Sequence, residues 1–281
     1  MVMSESPTAD SRLGPLFARC REEKRSALIG YLPVGYPDLP GSLDAMRTMV
    51  DAGCDIIEVG VPYSDPVMDG PTIQDAADQA LRSGVRVRDV FAAVEAISDA
   101  GGNAVVMTYW NPVLQYGVDA FARDLAGAGG LGLITPNLIP EEADSWIAAS
   151  HEHHLDRIFL VAPSSTEERL AMTLEASSGF VYAASTMGVT GARDSVSTMA
   201  PELCARIRLH SDIPIGVGLG VRSKAQATEI AGYADGVIVG SALVSAVAKG
   251  GDALRALTAE LAEGVRATYA GQDPVSTEVP S

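Results

Sequence analysis

Short runs of apolar, β-branched residues recur along the chain, and each is followed by a stretch whose apolar positions return every three or four residues. The runs are ALIGYLPV (27–34), CDIIEVGV (54–61), AVVMTY (104–109), GLGLIT (130–135), DRIFLV (156–161), FVYAAS (180–185), IPIGVG (213–218) and DGVIVG (235–240). VDAFARDLAGA (118–128) and EERLAMTLEASS (167–178) show the helical period between them. Strands that alternate with helices imply βαβ units and a parallel sheet. Eight such units either close into a barrel or lie open as a doubly wound sheet. The count of eight favours closure, so the expected fold is α/β, a (β/α)8 TIM barrel. An extra N-terminal helix, RLGPLFARCREEK (12–24), precedes the first strand and suits a plug for the barrel's bottom. Glycines at 101–102, 127, 129–130 and 250–251 stand where helices should end, as the left-handed C-cap preference requires.

A barrel of this kind needs about 250 residues, and the chain has 281. No composition shift marks a boundary, so residues 11–270 are expected to form one barrel domain. Residues 1–10 and 271–281 are rich in Ser, Thr, Pro, Asp and Glu and read as flexible tails. A formal charge of −16 excludes the basic footprint of a nucleic-acid binder and disfavours anionic membranes. It leaves room for a small anionic substrate, which backbone amides hold without Lys or Arg. Cys20, Cys54 and Cys204 are odd in number and far apart, which encodes neither a disulfide framework nor a zinc site. The polar N-terminus lacks the apolar core of a signal peptide, and no run of about 18 apolar residues occurs, so a cytoplasmic location is expected.

Barrel enzymes place their chemistry at the C-terminal ends of the strands, often with a phosphate held by the last loops. Three segments have that design. STMGVTGARDS (185–195) carries Gly188 and Gly191, GVGLGV (216–221) carries Gly218, and VGSALV (239–244) opens a helix at Gly240 and Ser241. Each glycine alone reads as a simple turn; three after successive strands point to an anion. GVGLGV lacks the last glycine of a dinucleotide fingerprint, since Val221 stands there, and it falls late in the chain.

The densest signal is CDIIEVGVPYSDPVMDGPTIQ (54–74). Alternation puts Ile56, Glu58 and Gly60 on one face of the strand. A carboxylate in a buried strand has a raised pKa and can deliver a proton near neutrality; the bland alternative is a structural salt bridge. Pro62 and Pro66 stiffen the loop that follows, which carries Asp65 and Asp69, and Pro71 suits the first turn of a helix. Asp69 reads as a functional acid or a cap of that helix. Asp65 reads as a cap or a partner contact.

GVPYSDPVMDGPTIQ, following IIE, resembles the signature of the tryptophan synthase α subunit family. YLPVGYPD, TYWNPV (108–113), GFVY with GVTGA, GVGLGV and VIVGSALV follow in that family's order, so the likeness covers about residues 12–270. The resemblance implies retro-aldol cleavage of indole-3-glycerol phosphate to indole and glyceraldehyde 3-phosphate. Glu58 matches the family's catalytic glutamate, the acid that protonates indole C3. Asp69 matches the aspartate that binds the indole N–H and balances positive charge there. Tyr182 matches the active-site tyrosine, and Tyr31 an aromatic lining the indole pocket. Thr190 lies in a loop expected to close over Asp69, and Gly191, Gly218, Gly240 and Ser241 match phosphate-binding positions. No metal or organic cofactor is implied for this chain. A partner is implied: a pyridoxal-phosphate β subunit that consumes the indole, in an α2β2 heterotetramer, faced by segments containing Asp65, Pro66, Tyr109 and Asn111. For Asn111 a plain turn before Pro112 is the competing reading.

Two positions depart from the family pattern. Asn137 stands where an aspartate is common, which removes a charge near the partner-facing side, and Thr186-Met187 replaces a more polar pair in the closing loop. HEHH (151–154) lacks the H-E-x-x-H spacing and reads as a solvated helix end. A stand-alone indole-releasing lyase, or a subunit that mainly activates its partner, would share much of this sequence; intact Glu58 and Asp69 disfavour the latter.

Overall fold

The computed structural model describes residues 11–184, 199–218 and 220–267. Its strands are β1 (Ala27–Pro33), β2 (Ile56–Gly60), β3 (Ala104–Met107), β4 (Gly132–Ile134), β5 (Asp156–Ile158), β6 (Leu160–Val161), β7 (Val181–Ala184), β8 (Ile215–Gly218) and β9 (Gly236–Val239). The helices are α1 (Gly14–Glu22), α2 (Leu39–Asp51), α3 (Pro71–Arg82), α4 (Asp89–Asp99), α5 (Trp110–Tyr116) and α6 (Val118–Gly127). They continue with α7 (Asp144–Glu152), α8 (Glu167–Ala176), α9 (Met199–Arg208), α10 (Lys224–Ala231), α11 (Ser241–Val247) and α12 (Gly251–Ala267).

All the strand pairings are parallel, in the order β5-β4-β3-β2-β1-β9-β8-β7-β6. The two ends of that order, β5 and β6, are pieces of one extended segment separated only by Phe159. β5 pairs with β4 on one side and β6 with β7 on the other. Counting them as one strand turns the nine-membered order into a closed ring of eight. The expected strand at 156–161 is thus a single element whose partner changes halfway, and the fold is the TIM barrel that the alternating pattern predicts.

Two apolar layers hold it. Inside the ring, Ile29, Ile56, Val105, Ile134, Ile158, Phe180 and Ile238 pack with Leu13, Leu16, Phe17 and Cys20 of the N-terminal segment and α1. Helix α1 therefore does close the barrel's floor. Outward-facing Leu28, Ile57, Val59, Val106, Leu133, Val217 and Val237 pack under the helices. Cys20, Cys54 and Cys204 are all buried and free, and burial pushes their thiols up, so they behave as packing groups.

Local chemistry sets the boundaries. Asp38 accepts from Gly41 N at 2.7 Å to start α2, Thr166 from Arg169 N at 3.2 Å to start α8, and Ser223 from Gln226 N at 3.4 Å to start α10. Pro71 occupies the first turn of α3, as expected. Gly101, Gly129 and Gly250 take positive φ where helices end. The HEHH segment closes α7 at Glu152; His153 follows, paired with Asp119 at 3.0 Å. Among the described residues no helix is long and apolar enough to cross a membrane.

Candidate active site

The C-terminal ends of the strands form the barrel's mouth, and Glu58 is the first polar group met below it on β2. It is 1% exposed, and its Oε1 has no hydrogen-bond partner among the described residues. Ile56, two residues back on the same strand, belongs to the interior cluster, so alternation turns Glu58 inward as well. Burial alone pushes its pKa to about 8. At neutral pH this side chain is mostly a carboxylic acid with a proton to give. The salt-bridge alternative finds no support among the described residues, since none of their cations contributes to that shift.

Two tyrosines flank it. Tyr31, in register with Glu58 on the neighbouring strand, is buried, and Tyr182 stands on β7 across the ring. Both hydroxyls are pushed well above the ordinary phenol value, first by burial and then by the charges of Glu58 and Asp69. The two carboxyls and two phenols therefore share one space. Two glycines make room for the rings. A Cβ on Gly60 would collide with the Tyr31 hydroxyl, and one on Gly218 would fall 2.5 Å from the Tyr182 hydroxyl. Gly218, expected as a phosphate position, is also the seat of Tyr182. That steric role needs the fold to be seen.

Asp69 lies in the loop between β2 and α3, half-buried, with its pKa raised by burial and pulled back by a hydrogen bond. The donor is the Tyr109 hydroxyl, 3.3 Å from Asp69 Oδ2. The same oxygen accepts from Val67 N at 3.1 Å and Met68 N at 3.0 Å. Tyr109 is only 6% exposed, so its expected place on a partner-facing surface is corrected: the ring is packed inside the chain and holds the Asp69 loop. The capping alternative for Asp69 is weakened too, because α3 opens at Gly70 with no side-chain cap.

Just after β9, Gly240 precedes α11, and an added Cβ there would meet Ile73 and Tyr31 at 3.5–3.7 Å. Gly240, Ser241 and Gly218 thus lie at the ends of adjacent strands β9 and β8, beside the tyrosines. Thr190, Gly191, Gly188, Thr186 and Met187 fall outside the described residues.

Asp65 and Asn111 are exposed and Pro66 half-buried. Asn111 sits in the first turn of α5, so it is helical and not a plain turn. Asn137 Oδ1 accepts from Trp110 N at 2.9 Å, supplying that helix with a cap from the loop after β4. Exposed apolar side chains gather on these segments: Val67 at 70%, Leu114 at 51% and Ile139 at 38%. They belong to the segments after β2, β3 and β4, three neighbours in the ring, with Leu114 on helix α5. Beside them Tyr63, Ser64, Pro112 and Gln115 line a groove of about 550 Å³.

The model of the family described as "Tryptophan synthase alpha chain" matches residues 17–271. The chain belongs to the tryptophan synthase alpha chain family. A curated member from Nocardia farcinica is 77% identical over 256 residues, 91% of this chain and 96% of that one. One from Mycobacterium tuberculosis is 74% identical over 266 residues, 95% of this chain and 98% of its own. A solved structure of Mycobacterium tuberculosis tryptophan synthase superposes with a TM-score of 0.89 at 73% identity, covering 93% of this chain and 99% of that one. The Legionella pneumophila alpha subunit, at 29% identity, still gives 0.80 over 91% of this chain and 98% of its own. Membership makes the chain a lyase component of a tryptophan synthase, and Glu58, Asp69, Tyr31 and Tyr182 lie together at the mouth of its barrel.

Proposed function

We propose that this chain cleaves indole-3-glycerol phosphate to indole and glyceraldehyde 3-phosphate, with Glu58 as acid and base and Asp69 as the group that balances charge on the ring. Glu58 transfers its proton to indole C3. Positive charge then spreads to the ring nitrogen, whose N–H is held by the Asp69 carboxylate. The Glu58 carboxylate takes the proton of the side-chain hydroxyl next to C3. The carbon–carbon bond breaks, its electron pair restores the indole ring, and the hydroxyl carbon becomes an aldehyde. Glu58 ends protonated, as it began, so the cycle consumes no acid.

Tyr31 and Tyr182 flank the indole ring, while Gly218, Gly240 and Ser241, with Gly191 and Thr190, attend the phosphate end and its closure. The observation that carries this reading is the buried Glu58, its Oε1 without a partner among the described residues and its pKa near 8, set among Tyr31, Tyr182 and Asp69. Every step is proton transfer or charge balance by side chains of this chain; the pyridoxal phosphate of a tryptophan synthase belongs to the β subunit.

The exposed Val67, Leu114 and Ile139, on the segments after three consecutive strands, support docking of that β subunit on this side, in a cytoplasmic α2β2 assembly with residues 11–270 as one barrel domain. Asp65, Pro66 and Asn111 belong to that face. The deciding assay incubates purified chain with indole-3-glycerol phosphate, with and without a β subunit, and follows indole. Indole formation that rises when the partner is added is expected. No indole under either condition rejects the reading, and an equal rate in both rejects the coupling.

A further inference from the structure

We propose that Tyr109 is a positioning residue for Asp69, aiming its carboxylate into the mouth and keeping it charged; this rests on the role given to Asp69 above. A phenol oxygen has one proton to donate and two lone pairs to accept with. In Tyr109 both acceptor sites are taken by backbone N–H groups, Val67 at 3.1 Å and Met68 at 3.0 Å. The remaining proton points at Asp69 Oδ2, 3.3 Å away. Two donors on an oxygen polarise its own O–H and strengthen it as a donor. The segment from Val61 to Gly70 forms neither helix nor strand, so these bonds stand in for the ladder that would otherwise fix its backbone.

The anchor itself is fixed. Tyr109 is buried, stacks at 5.2 Å and 33° on Tyr63, and directly precedes α5, whose first amide is capped by Asn137. One hydroxyl therefore ties the corner between β3 and α5 to the loop that carries Asp69. Among the described residues, the titratable groups around Asp69 are Tyr109, Tyr31 and Tyr182, with Glu58 sharing the same space; none of these is a cation. Gln74 spends its amide on the Asp69 main-chain carbonyl at 2.8 Å. Burial raises the Asp69 pKa, and the Tyr109 bond is what opposes it. Without that bond the carboxyl holds its proton to a higher pH, and a neutral Asp69 cannot balance charge on the indole nitrogen.

The test is Tyr109→Phe, which keeps the ring and removes the hydroxyl. The acid limb of kcat/KM for indole release should move up by about one pH unit, with about a tenfold loss on that limb. In an Asp69→Asn background the same change should add less than about a twofold loss. A uniform loss with an unmoved pH profile, or a full additional loss beside Asp69→Asn, would make Tyr109 merely structural and overturn the inference. A carboxyl ¹³C titration of Asp69 reads the same point without turnover: its midpoint must rise in Tyr109→Phe. An unchanged midpoint sinks the role of Tyr109 even where indole forms normally. A midpoint that rises in Tyr109→Phe, while the wild-type chain yields no indole, supports the role and indicts the proposed reaction instead. Thermal melting and circular dichroism show whether the variant folds, and the Asp69→Asn pair carries the test if it is loosened.

Discussion

The chain places two carboxylates three residues apart around β2, Asp55 at its entrance and Glu58 within it, and surrounds them oppositely. Asp55 accepts both guanidinium nitrogens of Arg25 at 2.9 Å and the Leu28 amide at 2.8 Å. Its side chain is 8% exposed and that of Arg25 9%, so the pair is buried and fully engaged. Glu58 is more deeply buried, yet its Oε1 has no partner among the described residues. The floor of the barrel neutralises its acids with geometry that a folded chain keeps. The mouth leaves its acid under-solvated, which raises the pKa and makes a proton available. Instability has been concentrated where the chemistry is.

The sharpest way to break this contrast is Glu58→Gln. Turnover should fall by roughly 10²–10⁴, measured as indole release with the β subunit present. Stability should move the other way. The folded pKa of about 8 lies above the unfolded value of 4.5, so the wild type is most stable, in this respect, below the unfolded value. It loses stability as pH rises towards the folded value. The amide has no such loss, and at pH 8 the variant should be more stable by on the order of 3 kcal/mol in urea unfolding. Normal turnover would remove Glu58 from the mechanism, and parallel loss of both properties would make it a structural residue like Asp55.

Asp55→Ala is the mirror image. It strands the buried Arg25 charge and the Leu28 amide, at a cost of about 3 kcal/mol. The kcat of the fraction that folds should remain near wild type. A large fall in kcat with stability intact would show that floor and mouth are not separable.

Within the mouth, Gly218→Ala separates two duties of one position. The added methyl would fall 2.5 Å from the Tyr182 hydroxyl, and that ring can swing aside, so folding should suffer little. KM for the substrate should rise about tenfold. Adding Tyr182→Phe should relieve part of the loss if the clash is the cause; no relief would assign the glycine to the phosphate alone.

Much of this was legible before any fold was known. The strands announce themselves because each is a short β-branched run, and Glu58 stands out because a charge there contradicts the burial of its neighbours. Alternation was enough to turn it inward. What local sequence could not carry is contact between distant segments. Tyr109 meets Val67 and Met68 across 42 and 41 positions, and nothing near Tyr109 says that its hydroxyl faces inward. The steric need for glycine at 218 comes from a tyrosine 36 positions earlier in the sequence. The change of partner at Phe159 depends on ring closure, a property of the whole sheet. Asn137 read as a missing charge and proves to be a cap for α5, because a side chain's partner in a neighbouring loop has no local signature.

The smallest effect tests the floor at its subtlest point. Asp156, 2% exposed, accepts from Leu13 N at 2.8 Å and Ser11 Oγ at 3.0 Å, tying the start of α1 to β5. Burial raises its pKa, while Leu13, Ser178 and Ser11 pull it back. With the folded pKa above the unfolded one, its contribution is greatest below the unfolded value and declines as pH rises through the folded value. Asp156→Asn escapes that decline but offers the amide and hydroxyl one acceptor oxygen fewer, so at neutral pH it should cost about 1 kcal/mol or less. On acidification the wild type gains stability that the neutral asparagine cannot, and the gap should widen. Hydrogen exchange across α1, followed from neutral to mildly acidic pH, reads this directly. A gap that closes on acidification would mean that the ionised carboxylate itself holds the plug. Asp156 would then be held as Asp55 is, ionised and faced by donors, in contrast to the protonated Glu58 at the mouth.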